Sequence, residues 1–146
     1  AADAHHHPGS RHAQRPLRHA PADMTALAYP DRHFDAVICV FGVFFAADME
    51  ALVADLWRML KPGGKLAITT WGPRLFEPLY GRWNEAVRGE RPDLYAAFHP
   101  WDRITDAEAV RALFTRAGIA AVDVVPSSIS TCPAATEPAA VAVAPK

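Results

Sequence analysis

A chain of 146 residues, 51% hydrophobic and 10% aromatic, is long enough for one domain with a real core and too short for two. Its 15 basic and 16 acidic residues leave a net charge of −1 with histidine neutral; nucleic-acid and membrane surfaces usually leave a basic excess, so neither is expected as a partner. The longest apolar run, residues 36–47, falls well short of the roughly 20 residues that cross a bilayer.

Residues 1–16 show neither helical nor strand period and read as a weakly ordered segment. No charged-apolar-small pattern opens the chain, so no signal peptide is read. His5, His6, His7, His12 and His19 do not make a metal site, because adjacent histidines splay apart and no acidic or cysteine partner stands at ligand spacing. Leu17–Asp23, "LRHAPAD", is a candidate strand that Pro21 would confine to an edge or an end.

Phe34–Gly42, "FDAVICVFG", is an uninterrupted apolar run, which predicts a strand covered on both faces as in parallel α/β sheets. Cys39 lies inside it as a small buried hydrophobe, and Asp35 reads as a strand-start residue. With Cys132 the only other cysteine, no disulfide framework is indicated, and a reducing cytoplasm is the expected location. Asp48 offers an N-cap to a helix whose Met49, Leu52, Val53, Leu56, Trp57 and Leu60 form one apolar stripe. Lys61 suits the negative end of that helix, Pro62 stops it, and Gly63 and Gly64 allow a sharp reversal into a second strand, "KLAITTW". The unit is strand–helix–strand, so its two strands are predicted parallel.

Phe76, Leu79, Tyr80, Trp83 and Val87 recur at helical spacing around Gly81. Thr105 and Glu108 make a capping-box pattern ahead of a helix carrying Val110, Leu113, Phe114 and Ala117, with Gly118 as its C-terminal cap. Residues 120–125 form a third probable strand. From Pro126 to Lys146 the chain is mostly Ala, Pro, Ser and Thr and reads as a flexible tail. The fold class is therefore α/β, with an ordered domain over residues 17–125.

Ligands of open parallel sheets bind beyond the carboxyl ends of the strands. Asp23-Met24, the Phe41–Phe45 loop and Thr70–Gly72 qualify as such places. Asp23 either caps the Met24–Leu27 turn or meets a ligand, and Gly42 either makes a turn or lets the backbone approach one.

Asp23-Met24, Leu27–Pro30, Phe34–Val37, Asp48, Arg58–Gly64 and Trp71 occur in an order that resembles the class I S-adenosylmethionine-dependent methyltransferases, especially the ubiquinone/menaquinone C-methyltransferase type. The resemblance implies a partial Rossmann-like parallel sheet with flanking helices, S-adenosylmethionine as cofactor and a small-molecule methyl acceptor. It implies that Asp23 contacts the adenine amino group and that the Met24 N–H meets the ring. Phe41, Gly42 and Val43 would lie along the methionine part. Phe45, Trp71, Tyr80 and Trp83 would border the acceptor. The family's Gly-x-Gly loop has no counterpart among the eight glycines, and its final antiparallel strand is not expected in the tail. The loop in which the family often carries a histidine holds Phe44 and Phe45, so no catalytic base is assigned. The missing cradle implies an uncovered sheet edge, open to pairing with another chain, and a rival reading as a catalytically silent remnant.

Overall fold

The computed structural model describes residues 20–74, 77–128 and 138–146. Segment 1–16, the five N-terminal histidines, Phe76 and Cys132 lie outside them, as do Leu17–His19 of the candidate first strand. Ala20–Asp23 forms no strand.

Strands β1 (Phe34–Val40) and β2 (Leu60–Thr70) pair parallel, with Val37 beside Leu66 and Cys39 beside Ile68. Helix α1 (Met49–Arg58) is the crossover; Asp48 accepts from the Ala51 N–H at 2.8 Å, and Met49, Leu52, Val53 and Leu56 are buried. Arg58 closes the unit against the preceding turn. It donates to the Tyr29 carbonyl at 3.0 Å and pairs with Asp31 at 2.5 Å and Asp55 at 2.9 Å.

The Pro-Gly-Gly turn lies inside β2 rather than before it. Leu60 is already paired beside Phe34, residues 61–64 bulge outward, and Lys65 resumes the ladder beside Ala36. Gly63 takes φ +81°, whereas Gly64 is required by space, since a Cβ there would lie 2.9 Å from the Lys61 carbonyl oxygen. Lys61 does not serve the end of α1, because it pairs with Asp35 at 2.8 Å. Lys146 takes that role, its ammonium donating to the carbonyls of Trp57 at 2.7 Å and Leu60 at 2.8 Å.

The largest departure from expectation is at the carboxyl end. Residues 138–145 are not a flexible tail but strand β4 (Pro138–Pro145), and it is antiparallel to both its neighbours, β2 and β3 (Asp123–Ser128). The sheet order is β1-β2-β4-β3. The Ala/Val alternation that lacks bulk suits this inner position, where the backbone is hydrogen-bonded on both sides. Ala142 and Ala144, 1% and 0% exposed, leave room for the helices above. Strand β3 begins at Asp123, three residues later than the composition suggests.

Helix α3 (Ala107–Arg116) buries Val110, Leu113 and Phe114. Its N-cap is Asp106, accepting from the Ala109 N–H at 2.8 Å, rather than Thr105. Gly118 closes it at φ +81°. Helices α1 and α3 share one core with Leu66, Ile68, Ala142 and Ala144, and therefore cover a single face of the sheet. On the other face Ile38, Val40 and Val125 are 68%, 61% and 55% exposed. Among the described residues strand β1 is thus covered on one face only, although its sequence is apolar on both. Helix α2 (Leu79–Glu90) buries none of its side chains.

Candidate functional site

Because β1 and β2 run parallel, their carboxyl ends open at the same rim. Phe41 leaves β1 at φ +49°, a left-handed conformation that is uncommon for a bulky residue and that clusters at functional sites. Its N–H donates to Thr69 Oγ1 at 3.0 Å, and its ring lies flat on Trp71, with centroids 3.8 Å apart and planes at 6°. One aromatic wall is thus built from the ends of two strands.

Gly42 follows with an ordinary negative φ, so the residue is needed here for closeness rather than handedness. A Cβ at this position would lie 3.2 Å from Cys39 Sγ and 3.6 Å from Met24 Sδ. This brings the Asp23-Met24 turn against the tip of β1, uniting two of the places singled out in the sequence. The next residues, Val43 and Phe44, are 0% and 1% exposed and enter the core, while Phe45 stands 58% exposed. Val43 can therefore offer a ligand only its backbone.

Asp23 is engaged within its own turn. The Thr25 N–H at 2.8 Å and hydroxyl at 2.7 Å both donate to Asp23 Oδ1. Those bonds, the backbone one foremost, hold the carboxyl below the ordinary carboxylate range. The capping reading of Asp23 is therefore realised in the fold, and the same bonds keep an anionic acceptor at the rim. Burial pushes the Cys39 thiol up, away from nucleophilic chemistry.

Helix α2 and the 3-10 turn Pro100–Arg103 meet through ring contacts. The guanidinium of Arg103 donates to the carbonyls of Phe44 at 3.3 Å, Ala46 at 2.6 Å and Ala47 at 3.1 Å, fastening this turn to the 3-10 turn Val43–Phe45. His99 stacks on Trp101 at 4.5 Å and meets the Tyr80 ring edge-on at 5.9 Å. The Tyr80 and Thr70 hydroxyls are buried without a hydrogen-bond partner, and an orphaned buried hydroxyl marks a place a ligand group can complete. Trp83 is 65% exposed on α2. His99, Trp101 and Arg103 escaped sequence reasoning. Their signal, a His-Pro-Trp-Asp-Arg run, has no periodicity to place it on an element.

Among the described residues no cluster of His, Cys, Asp or Glu has metal-binding geometry, and no helix is long and apolar enough to cross a membrane.

A mixed α/β sheet in which β1 and β2 run parallel and end at one rim is Rossmann-like, and open α/β sheets take their ligands beyond such strand ends. Residues 3–68 match the family described as "Methyltransferase domain". A Deinococcus radiodurans demethylmenaquinone methyltransferase is 42% identical over 60 residues, 41% of this chain and 25% of that protein. An uncharacterized Mycobacterium tuberculosis protein is 34% identical over 90 residues, 60% of this chain and 32% of that protein. The chain thus spans between a quarter and a third of the length of these curated relatives. Among solved structures, an Aquifex aeolicus SAM-dependent methyltransferase superposes with a TM-score of 0.57 at 17% identity, over 86% of this chain and 53% of that one. A second, from Thermotoga maritima, gives 0.54 at 22% identity, over 86% and 62%. Over residues 3–68 the chain is thus similar to a methyltransferase domain, and its fold is similar to that of the S-adenosylmethionine-dependent methyltransferases.

The residues present fit that family's cofactor in part. An anionic Asp23, a backbone brought close at Gly42 and the Phe41–Trp71 wall suit an adenine amine and a sulfonium-bearing chain. The chain holds no Gly-x-Gly to cradle the middle of the molecule.

Proposed function

We propose that this chain carries the adenine-facing rim and the acceptor side of a crevice for methyl transfer from S-adenosylmethionine to an oxygen, nitrogen or carbon nucleophile of a small molecule. The observation that carries the reading is the meeting of Asp23-Met24 with the β1 tip at Gly42. The bound cofactor supplies an activated methyl group on a sulfonium. Asp23 accepts from the adenine amine and Met24 offers its N–H to the ring. Phe41, Gly42 and the Val43 backbone flank the methionine portion. Phe45, Trp71, Tyr80 and Trp83 border the acceptor, where they exclude water and hold its nucleophile in line with the methyl group; such alignment is the main source of acceleration in a displacement of this kind. The setting is the cytoplasm.

Isothermal titration with S-adenosylhomocysteine tests the reading. Saturable heat that is lost in Asp23→Ala supports it; absence of heat at saturating ligand contradicts it for this chain.

A second reading rests on the sheet face and the β1 edge that no described residue covers. Ile38, Val40 and Val125 expose apolar surface that soluble monomers seldom leave contiguous. In that reading the chain is a catalytically silent part of an assembly whose sheet another chain completes. Size-exclusion chromatography separates the two: oligomers favour the second reading, and a compact monomer removes it.

A further inference from the structure

We propose that Arg103 is a positioning residue for methyl transfer, setting the shape of the Gly42–Ala47 segment and tying the acceptor border to it. The inference rests on the methyl-transfer reading of the crevice, and its geometric part stands apart from that reading.

The argument is an accounting of carbonyls. A short 3-10 turn leaves its last carbonyls without partners, and buried carbonyls need them. The Gly42 carbonyl accepts from the Phe45 N–H at 3.0 Å and the Val43 carbonyl from the Ala46 N–H at 3.2 Å. Among the described residues the carbonyls of Phe44, Ala46 and Ala47 receive no such backbone bond, and Arg103 takes all three. Phe44 and Ala46 are 1% and 2% exposed, so water is a poor substitute there. A planar guanidinium with five donors can serve three oxygens at once, which an ammonium on a flexible stem does poorly.

The consequence reaches both ends of the crevice. On one side, the fixed segment contains Gly42 and Val43, whose backbone flanks the methionine portion, and leads into Asp48 at the start of α1. On the other side, Arg103 ends the turn that carries Trp101 and follows His99, the two rings packed in series against Tyr80. A single side chain thereby joins the donor flank to the acceptor border. Its partners are all main-chain atoms, so its contribution depends on shape and not on pairing with a particular acidic residue.

The test compares the full chain with Arg103→Ala and Arg103→Lys in two measurements. The first is native-state hydrogen exchange at the Phe45 and Ala46 amides, with Val37–Cys39 in β1 as the internal reference. Faster exchange at Phe45 and Ala46 in Arg103→Ala, with the β1 amides unchanged, is expected. Unchanged loop exchange, or equal acceleration in β1, overturns the proposal whether or not the cofactor product binds. The second is S-adenosylhomocysteine affinity by titration. A loss of about tenfold or more in Arg103→Ala, partly recovered in Arg103→Lys, is expected from losing charge-assisted hydrogen bonds. Wild-type affinity in Arg103→Ala also overturns it. A wild-type chain that binds no S-adenosylhomocysteine counts against the methyl-transfer reading, and the exchange result then decides the role of Arg103 in the loop.

Discussion

The two faces of the sheet carry similar residues in very different surroundings. Across one face run Cys39, Ile68, Ala142 and Val124, beneath α1 and α3. Across the other run Val40, Thr69, Val141 and Val125, with the outermost two 61% and 55% exposed. Ile68 is 1% exposed, while Ile38, on the adjoining strand and the opposite face, is 68% exposed. The difference teaches that β1 encodes a three-layer architecture of which the described residues supply two layers. Apolar composition records what a strand is built to meet; burial records what it meets in this chain.

Substitutions at that pair break the comparison most sharply. Ile68→Ala is expected to cost about 2–5 kcal/mol in chemical denaturation, since it removes buried methyl groups and leaves a cavity. Ile38→Ala should stay within about 0.5 kcal/mol. A comparable loss at both positions would mean that the open face is covered in solution. Next in size, Ala144→Leu should lower stability by about 1–3 kcal/mol, because β4 lies where only a small side chain fits under the helices. Tolerance of leucine there would place β4 outside the core. Asp48→Ala should cost about 1 kcal/mol by unpairing the first turn of α1, the helix that covers the closed face.

A smaller effect concerns acid. The hydrogen bond from Lys61, and then its charge, hold the Asp35 carboxyl below its ordinary range. The folded state therefore binds fewer protons than the unfolded state around that range. The resulting stabilisation is present above the unfolded carboxylate pKa and is lost as pH falls through the lowered folded value. Asp35→Asn should remove that part of the acid dependence while leaving the neutral-pH melting point nearly unchanged; an identical acid profile would speak against the pair. Least disturbing to the fold itself, Ile38→Glu with Val40→Glu should abolish any self-association seen by sedimentation. Persistence of oligomers would move the contact away from the open face.

The sequence was most legible where side chains recur with a period. The α1 stripe from Met49 to Trp57, the Asp48 cap and the parallel strands that α1 joins follow from spacing and turn chemistry and are found in the structure, whereas Leu60, read as the end of that stripe, opens β2 instead. It was least legible where backbone pairing does the work. Residues 138–145 offer alanine and valine with little bulk, yet they occupy an inner strand because hydrogen bonds on both sides and tight packing replace bulky side chains. Pro62-Gly63-Gly64 was legible as a reversal, but not as a bulge within β2, since the pairing of Leu60 with Phe34 depends on a strand distant in sequence.

The crevice divides in the same way. Gly42, Phe41 and Trp71 were legible because they end strands, and the Asp23-Met24 turn because of the ordered motif around it. His99, Trp101 and Arg103 were not, because their position depends on three bonds to carbonyl oxygens more than fifty residues away in sequence. Arg58 is the informative intermediate case. It belongs to the motif, and its contact with Tyr29 and Asp31 gives the physical reason that these two short stretches occur together.

The central claim is that the Asp23-Met24 turn and the Gly42 segment face one ligand. Amide chemical-shift mapping of the labelled chain during titration with S-adenosylhomocysteine addresses it directly. The account predicts that Met24, Gly42 and Val43 shift together along a single binding curve, with α3 and β3 silent. Shifts confined to α3 and β3, or Met24 and Gly42 responding on separate curves, would contradict it.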